Sequence, residues 1–196
     1  KVKTAPAFRF QGVYRQPLKQ KNKLSEFTIL ITLYSVMEEA LTAINFALDT
    51  HLMLENEISI KWKIKPHPLT NKNKLIASLD RCLPESWEWV DKDFHESLDD
   101  VDVLMGNSST TCVEALAREK YVIIIGNLYG ITHNPIPSSV PHYLWGICYS
   151  PLEASGVLKH CANEVVGVKS DTSVRSSFFE PLTHESTLTF ISGVNY

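Results

Sequence analysis

Long apolar runs are missing from this sequence. Its longest hydrophobic stretches fall far short of the roughly 20 residues that cross a bilayer, which argues against a membrane-spanning helix. No signal peptide is visible. No CxxC pair occurs among the four cysteines, Cys82, Cys112, Cys148 and Cys161. Zinc and redox centres therefore read poorly, and reduced core thiols in a cytosolic protein are the simplest account. An excess of positive charge is also lacking: the net charge is −3 and the pI about 6.2. There is no general basic field to hold a nucleic-acid backbone, so that partner class is set aside. No Walker loop, GxGxxG fingerprint or GxSxG elbow is found. Internal repeats and low-complexity segments are absent too.

What is present is an ordinary globular balance. Of 196 residues, 44% are hydrophobic and 21% charged, enough for one large domain or two small ones. The chain begins Lys1-Val2-Lys3 rather than with Met. That is the pattern of a fragment, and a missing N-terminal region, with any targeting segment in it, is the expectation.

Residues 1–24 have little periodicity and hold Pro6, Pro17 and many lysines; they read as a lead-in or linker. Phe27 to Leu33 is a β-branched apolar run, a buried strand. Ser35 with Glu38 three residues on matches a capping box for a helix to about Met53, with Met37, Leu41, Ile44 and Leu48 on one face. Ile58 to Lys65 alternates, with Ile58, Ile60, Trp62 and Ile64 against Ser59, Lys61, Lys63 and Lys65. The simplest account of Lys61 and Lys63 is that they snorkel. Asn71 to Leu83 reads as a helix, Trp87 to Val90 as a short strand, and Phe94 to Leu98 as an amphipathic turn. Leu144 to Tyr149 is a further strand, and Pro151 opens a helix with Leu152, Ala154 and Leu158 facing inward. The tail, residues 173–196, is expected to be a helix packing back on a body of residues 25–172.

The most informative stretch runs from Val101 to Gly126. Val101 to Met105 is a short apolar strand. Gly106, Asn107, Ser108, Ser109, Thr110 and Thr111 form a small polar turn. Glu114 to Ala117 reads as a helix, and Tyr121 to Gly126 as a second strand. Such a βαβ unit exposes helix N-terminal N–H groups, which bind phosphate. The helix dipole adds roughly 0.3–1 kcal/mol when exposed and up to about 2 when partly buried. The bland account of the turn is an N-cap with surplus hydroxyls. Glu114 lies one helical turn from Thr110 and faces the same way, placed to accept from ribose hydroxyls. The competing account is a glutamate favoured by the dipole. Upstream, His67 sits between Pro66 and Pro68, which stiffen the backbone, and its imidazole suits a phosphate oxygen. Lys65 adds charge. A structural histidine is the alternative. Asp99-Asp100-Val101-Asp102 has a DxD-like spacing, but it leads into a buried strand and reads as a solvated strand start. His133, Asn134 and His142 lie in the long proline-bearing loop from Asn127 to Tyr143, where function often resides.

Strands alternate with helices at least five times. The fold class is therefore α/β, a Rossmann-like, open, mostly parallel sheet with helices on both faces. Ligands bind at the carboxyl ends of such strands, so His67 and the Gly106–Thr111 turn are expected on one edge.

Taken together, Lys65-Pro66-His67-Pro68 and the run from Asp102 to Ala117 resemble the donor-binding, C-terminal half of a GT-B glycosyltransferase. The HP pair with a Ser-Ser/Thr motif is similar to bacterial sialyl- and polysialyltransferases, and to capsule and surface-polysaccharide transferases. The resemblance covers roughly residues 5 to 126; the tail is not diagnostic. It implies that His67, Ser108 and Ser109 contact the donor phosphate. Lys65, Gly106, Asn107, Thr110 and Thr111 complete the donor site. Glu114 matches the helix glutamate that binds ribose in UDP-sugar enzymes, a role the resemblance does not carry over to a CMP-sugar donor. The implied partners are a nucleotide-sugar donor, a glycan acceptor, and a missing N-terminal domain of the same polypeptide that holds the base. No metal and no cofactor are implied, and transfer is metal-independent. A cytoplasmic location follows, peripheral at the inner membrane. The pattern departs at Arg118-Glu119-Lys120-Tyr121, where many relatives have a Gly and a Pro. Without its other half the chain is expected to bind donor but to transfer sugar poorly or not at all. The alternatives are a non-catalytic nucleotide-binding or regulatory domain, a UDP-sugar 2-epimerase-like domain, and a structural interaction domain.

Overall fold

Six strands, all parallel, build the sheet. A computed structural model of the chain describes residues 26–127, 130–138 and 140–163, with positions 183, 185, 187, 188 and 192 beyond them. In chain order the elements are β1 (Phe27–Thr32), α1 (Met37–Leu54), β2 (Ile60–Lys65), α2 (Lys72–Ala77), β3 (Glu88–Trp89), α3 (Phe94–Ser97), β4 (Val103–Gly106), α4 (Thr110–Ala117), β5 (Tyr121–Ile125), β6 (Trp145–Cys148) and α5 (Pro151–Asn163). A 3-10 turn, His142–Leu144, precedes β6. The strand order is β3-β2-β1-β4-β5-β6, so the sheet reverses its direction of growth between β1 and β4. This is the expected Rossmann-like architecture.

The central strands β1, β4 and β5 carry nearly unbroken apolar stretches because both faces are covered. Ile29 and Ile31 of β1, Val103 and Met105 of β4, and Ile123 and Ile125 of β5 pack with Ala40, Ala43, Ile44 and Ala47 of α1 and Ala154 and Leu158 of α5. Their alternate neighbours Leu30, Leu104, Val122 and Ile124 pack with Cys112, Ala115 and Leu116 of α4. Period-two alternation thus divides each strand between two cores.

Several local expectations are corrected. Ser35 does not cap α1; the N-cap is Val36 and makes no side-chain bond. The helix expected from Asn71 to Leu83 ends at Ala77, capped at its start by the Asn71 side chain, which accepts from Lys74 N–H. Leu79 and Leu83 still reach the core, and beyond the helix Arg81 pairs with Asp49 of α1. Leu152 is 70% exposed, while Ala154 and Leu158 are buried as expected. Lys63 does not snorkel: it is 8% exposed and its Nζ lies 2.9 Å from Asp100, because a buried ammonium needs a partner. Lys61 pairs with Glu88 at 3.0 Å. Cys112, Cys148 and Cys161 are buried free thiols, but Cys82 is exposed.

Glu119 stands after the end of α4 with φ 61°, the left-handed conformation that glycine favours. Lys120 N–H donates to the Ala115 carbonyl at 3.0 Å and Glu119 N–H to that of Leu116 at 2.9 Å. That pair of bonds is the Schellman ending, made here around a glutamate. The lead-in call on residues 1–24 lies outside the described residues. So does the tail apart from five positions, where Thr187 N–H donates to the Thr183 carbonyl at 3.1 Å. Among the described residues no helix is long and apolar enough to cross a membrane.

Candidate functional site

β2 and β4 lie on either side of β1, and Thr32 of β1 is in register with both Lys65 and Gly106. The turns that leave β2 and β4 therefore emerge on one edge, flanking the point where the strand order reverses. In open α/β sheets that reversal opens a crevice in which ligands bind. The sequence expectation that His67 and the 106–111 turn share an edge holds.

Each residue of the second turn has a definite place. A Cβ at Gly106 would lie 3.0 Å from the Thr32 carbonyl and collide with its hydroxyl. Glycine here lets β4 close on the end of β1. Asn107 offers its carbonyl to the Cys112 thiol at 3.6 Å. That thiol is pushed up to about 11 by burial, so it stays protonated. Ser109 is the N-cap of α4; its hydroxyl accepts from Thr111 N–H at 3.3 Å. Thr110 is exposed, and Thr111 Oγ1 is buried without a partner among the described residues. Ser108 projects its hydroxyl to within 3.0 Å of His133 Nδ1 in the loop after β5.

Tyr34 joins the two turns. Its hydroxyl donates to the Ser108 carbonyl, and its own carbonyl accepts from the Thr70 hydroxyl at 3.1 Å. Thr70 closes the turn begun by His67, whose carbonyl accepts Thr70 N–H at 2.8 Å. His67 Nδ1 accepts from Leu69 N–H at 3.2 Å, which fixes the ring. Burial, reinforced by Glu39 and Cys112, raises the Tyr34 phenol, so it remains a donor. Nothing in the sequence marks Tyr34 as part of the site. It follows a strand as many tyrosines do, and only the β2-β1-β4 order puts it between the motifs.

Lys65 donates to the Lys92 carbonyl at the end of β3. Glu114 is buried, with its carboxylate 3.3 Å from His95 Nε2. Burial pushes His95 below its ordinary value, Asp93 opposing and Arg118 reinforcing, so the neutral ring is favoured and its Nε2–H donates to Glu114. His95 was legible only as part of an amphipathic turn. The three aspartates of the DxD-like string are engaged within the chain. Asp99 pairs with buried Arg118 at 2.9 Å, Asp100 with Lys63 at 2.9 Å, and Asp102 accepts Thr28 N–H at 2.7 Å. Among the described residues no group of three or more His, Cys, Asp or Glu is arranged to hold a metal ion.

No protein-family model matches the sequence, and no curated protein matches it. Solved structures do resemble it. TarM superposes with a TM-score of 0.56 at 13% identity, covering 90% of this chain and 37% of its own. The glycosyltransferase SnogD from Streptomyces nogalater gives 0.55 at 13% identity, over 88% of this chain and 45% of its own. CalG4, the calicheamicin glycosyltransferase, gives 0.53 at 13% identity, over 90% and 41%. The chain therefore has a fold found in GT-B glycosyltransferases, and it spans less than half the length of each of these three structures. At this identity the likeness is one of fold.

Proposed function

We propose that this chain is the donor-binding domain of a glycosyltransferase, taking a nucleotide-sugar whose phosphate rests on the Ser108–Thr111 turn. The observation that carries the proposal is the Tyr34 bridge, which holds the His67 turn and Ser108 together at the reversal of strand order. A phosphate there would meet the positive end of α4, the hydroxyls at Ser108 and Thr110, and the His67 imidazole. Gly106 and Asn107 shape the turn, while the Lys65 ammonium is turned to the Lys92 carbonyl on the β3 side.

In the complete enzyme a base outside these residues deprotonates the acceptor hydroxyl. The acceptor oxygen forms its bond to the anomeric carbon as the bond from that carbon to the nucleotide phosphate breaks. The charge left on the phosphate is stabilised by the turn and by His67. Transfer of this kind needs no metal. Glu114 is engaged by His95, so no ribose contact is assigned to it. A glycan acceptor and a role in bacterial surface-polysaccharide synthesis on the cytoplasmic side complete the proposal.

Isothermal titration with CMP, CDP, UDP and their sugar conjugates tests it. One nucleotide class is expected to bind saturably, and Ser108→Ala with His67→Ala to lose about tenfold or more, the effect of removing bonds to a charged group. Glu114→Gln is expected to leave a CMP-type ligand unaffected. Unaltered affinity in the double variant would overturn the assignment. Ser109→Ala is a poor probe, because it also removes the cap of α4.

A further inference from the structure

We propose that His133 is a positioning residue for this phosphate site, setting the direction of the Ser108 hydroxyl proton and thereby coupling anion binding to protonation of its imidazole. The inference rests on the donor-binding reading above.

The geometry is specific. The Ser108 backbone is pinned from the β1 side, where the Tyr34 hydroxyl holds its carbonyl. Its hydroxyl is met from the β5 side, where His133 Nδ1 stands 3.0 Å away. One hydroxyl carries one proton. When Nδ1 is bare, it accepts that proton, and Ser108 turns only lone pairs to an incoming anion. When Nδ1 carries a proton, it donates to Ser108 Oγ, and the hydroxyl proton is released toward the phosphate. In the imidazolium both nitrogens are donors, so the second arrangement is enforced. The exposed ring of His133 also adds positive charge beside the turn. Binding of a phosphate and protonation of His133 therefore favour each other.

The other titratable groups on this edge are Tyr34 and Glu39 from the β1 side, Cys112 on α4, and His67 after β2. The first is held above its ordinary range and Cys112 at about 11, so both stay protonated near neutrality. Glu39 acts on Tyr34. His67 Nδ1 is occupied by Leu69 N–H, so that atom does not steer the Ser108 hydroxyl. Removal of the Ser108 hydroxyl therefore separates the two histidines.

The test is isothermal titration with UDP-glucose, CDP-glycerol and CMP-N-acetylneuraminic acid, whose esterified phosphates keep a fixed charge. Buffers of differing ionisation heat are used between about pH 5 and 8, where imidazole changes charge. The ligand that binds is expected to take up protons and to weaken by about tenfold or more across that range, as a charge-assisted bond is lost. His133→Phe is expected to bind at every pH as weakly as the unaltered chain does at the alkaline end. His133→Gln, which keeps an N–H donor, is expected to restore binding with a flat pH profile. Proton uptake as large in Ser108→Ala or His133→Phe as in the unaltered chain would overturn the role of His133 while leaving the donor site standing. Absence of binding to all three ligands at every pH would overturn the donor reading, and this inference with it.

Discussion

Gly106 shows how a single residue sets the geometry of the edge. Its α-hydrogen faces Thr32, and any side chain would meet that residue's carbonyl at 3.0 Å. Gly106→Ala is expected to lower stability by about 1–3 kcal/mol, the usual cost of forcing atoms into a packed place. Urea unfolding measures it, and a loss below about 0.5 kcal/mol would show that β1 and β4 have room to separate. At this scale the sequence singled out residues by type and spacing and was silent about their partners. Ser108 and His67 announce themselves by type and spacing. Tyr34 and His133 do not, because their contacts come from residues 74 and 25 positions away from Ser108. Glu114 was read as open to a ribose; His95 of α3 holds it instead.

At the scale of elements, α4 is bounded by one favourable and one unfavourable choice. Ser109 satisfies an N–H at its start. Glu119 closes its end in a conformation costly for a side chain, of order 1–3 kcal/mol for residues held there against preference. Glu119→Gly is expected to raise stability by up to about 1 kcal/mol, because glycine adopts this conformation without strain but loses more freedom on folding. A fall in the urea midpoint would mean that the Glu119 side chain contributes more than its backbone costs. Element existence was legible because the apolar strands and the Asn71 cap are local signals. Element length was not. The helix after Asn71 stops at Ala77, and the Arg81–Asp49 pair beyond it is a contact no local pattern announces.

Among the described residues of the molecule, folding holds two histidines below their ordinary value, His51 and His95, each chiefly through burial. The unfolded chain then binds more protons than the folded one as pH falls through the ordinary value of 6.5. Stability contributed by these groups is present above that pH and declines below it. The urea midpoint is therefore expected to drop between about pH 7.5 and 5.5, and to drop less in a His51→Gln, His95→Gln variant. An unchanged or rising midpoint in the unaltered chain would contradict the burial of both rings. The sequence by itself determined the class of fold. Apolar strands covered on both faces, separated by helices, have one economical arrangement, an open parallel sheet, and its carboxyl edge is where a polar turn between strand and helix must open. Only the tertiary structure decided the strand order, and with it which loops meet. Placing β1 between β2 and β4 brought Tyr34, Ser108 and the His67 turn to one crevice, because contacts across a sheet depend on lateral neighbours rather than on distance along the chain.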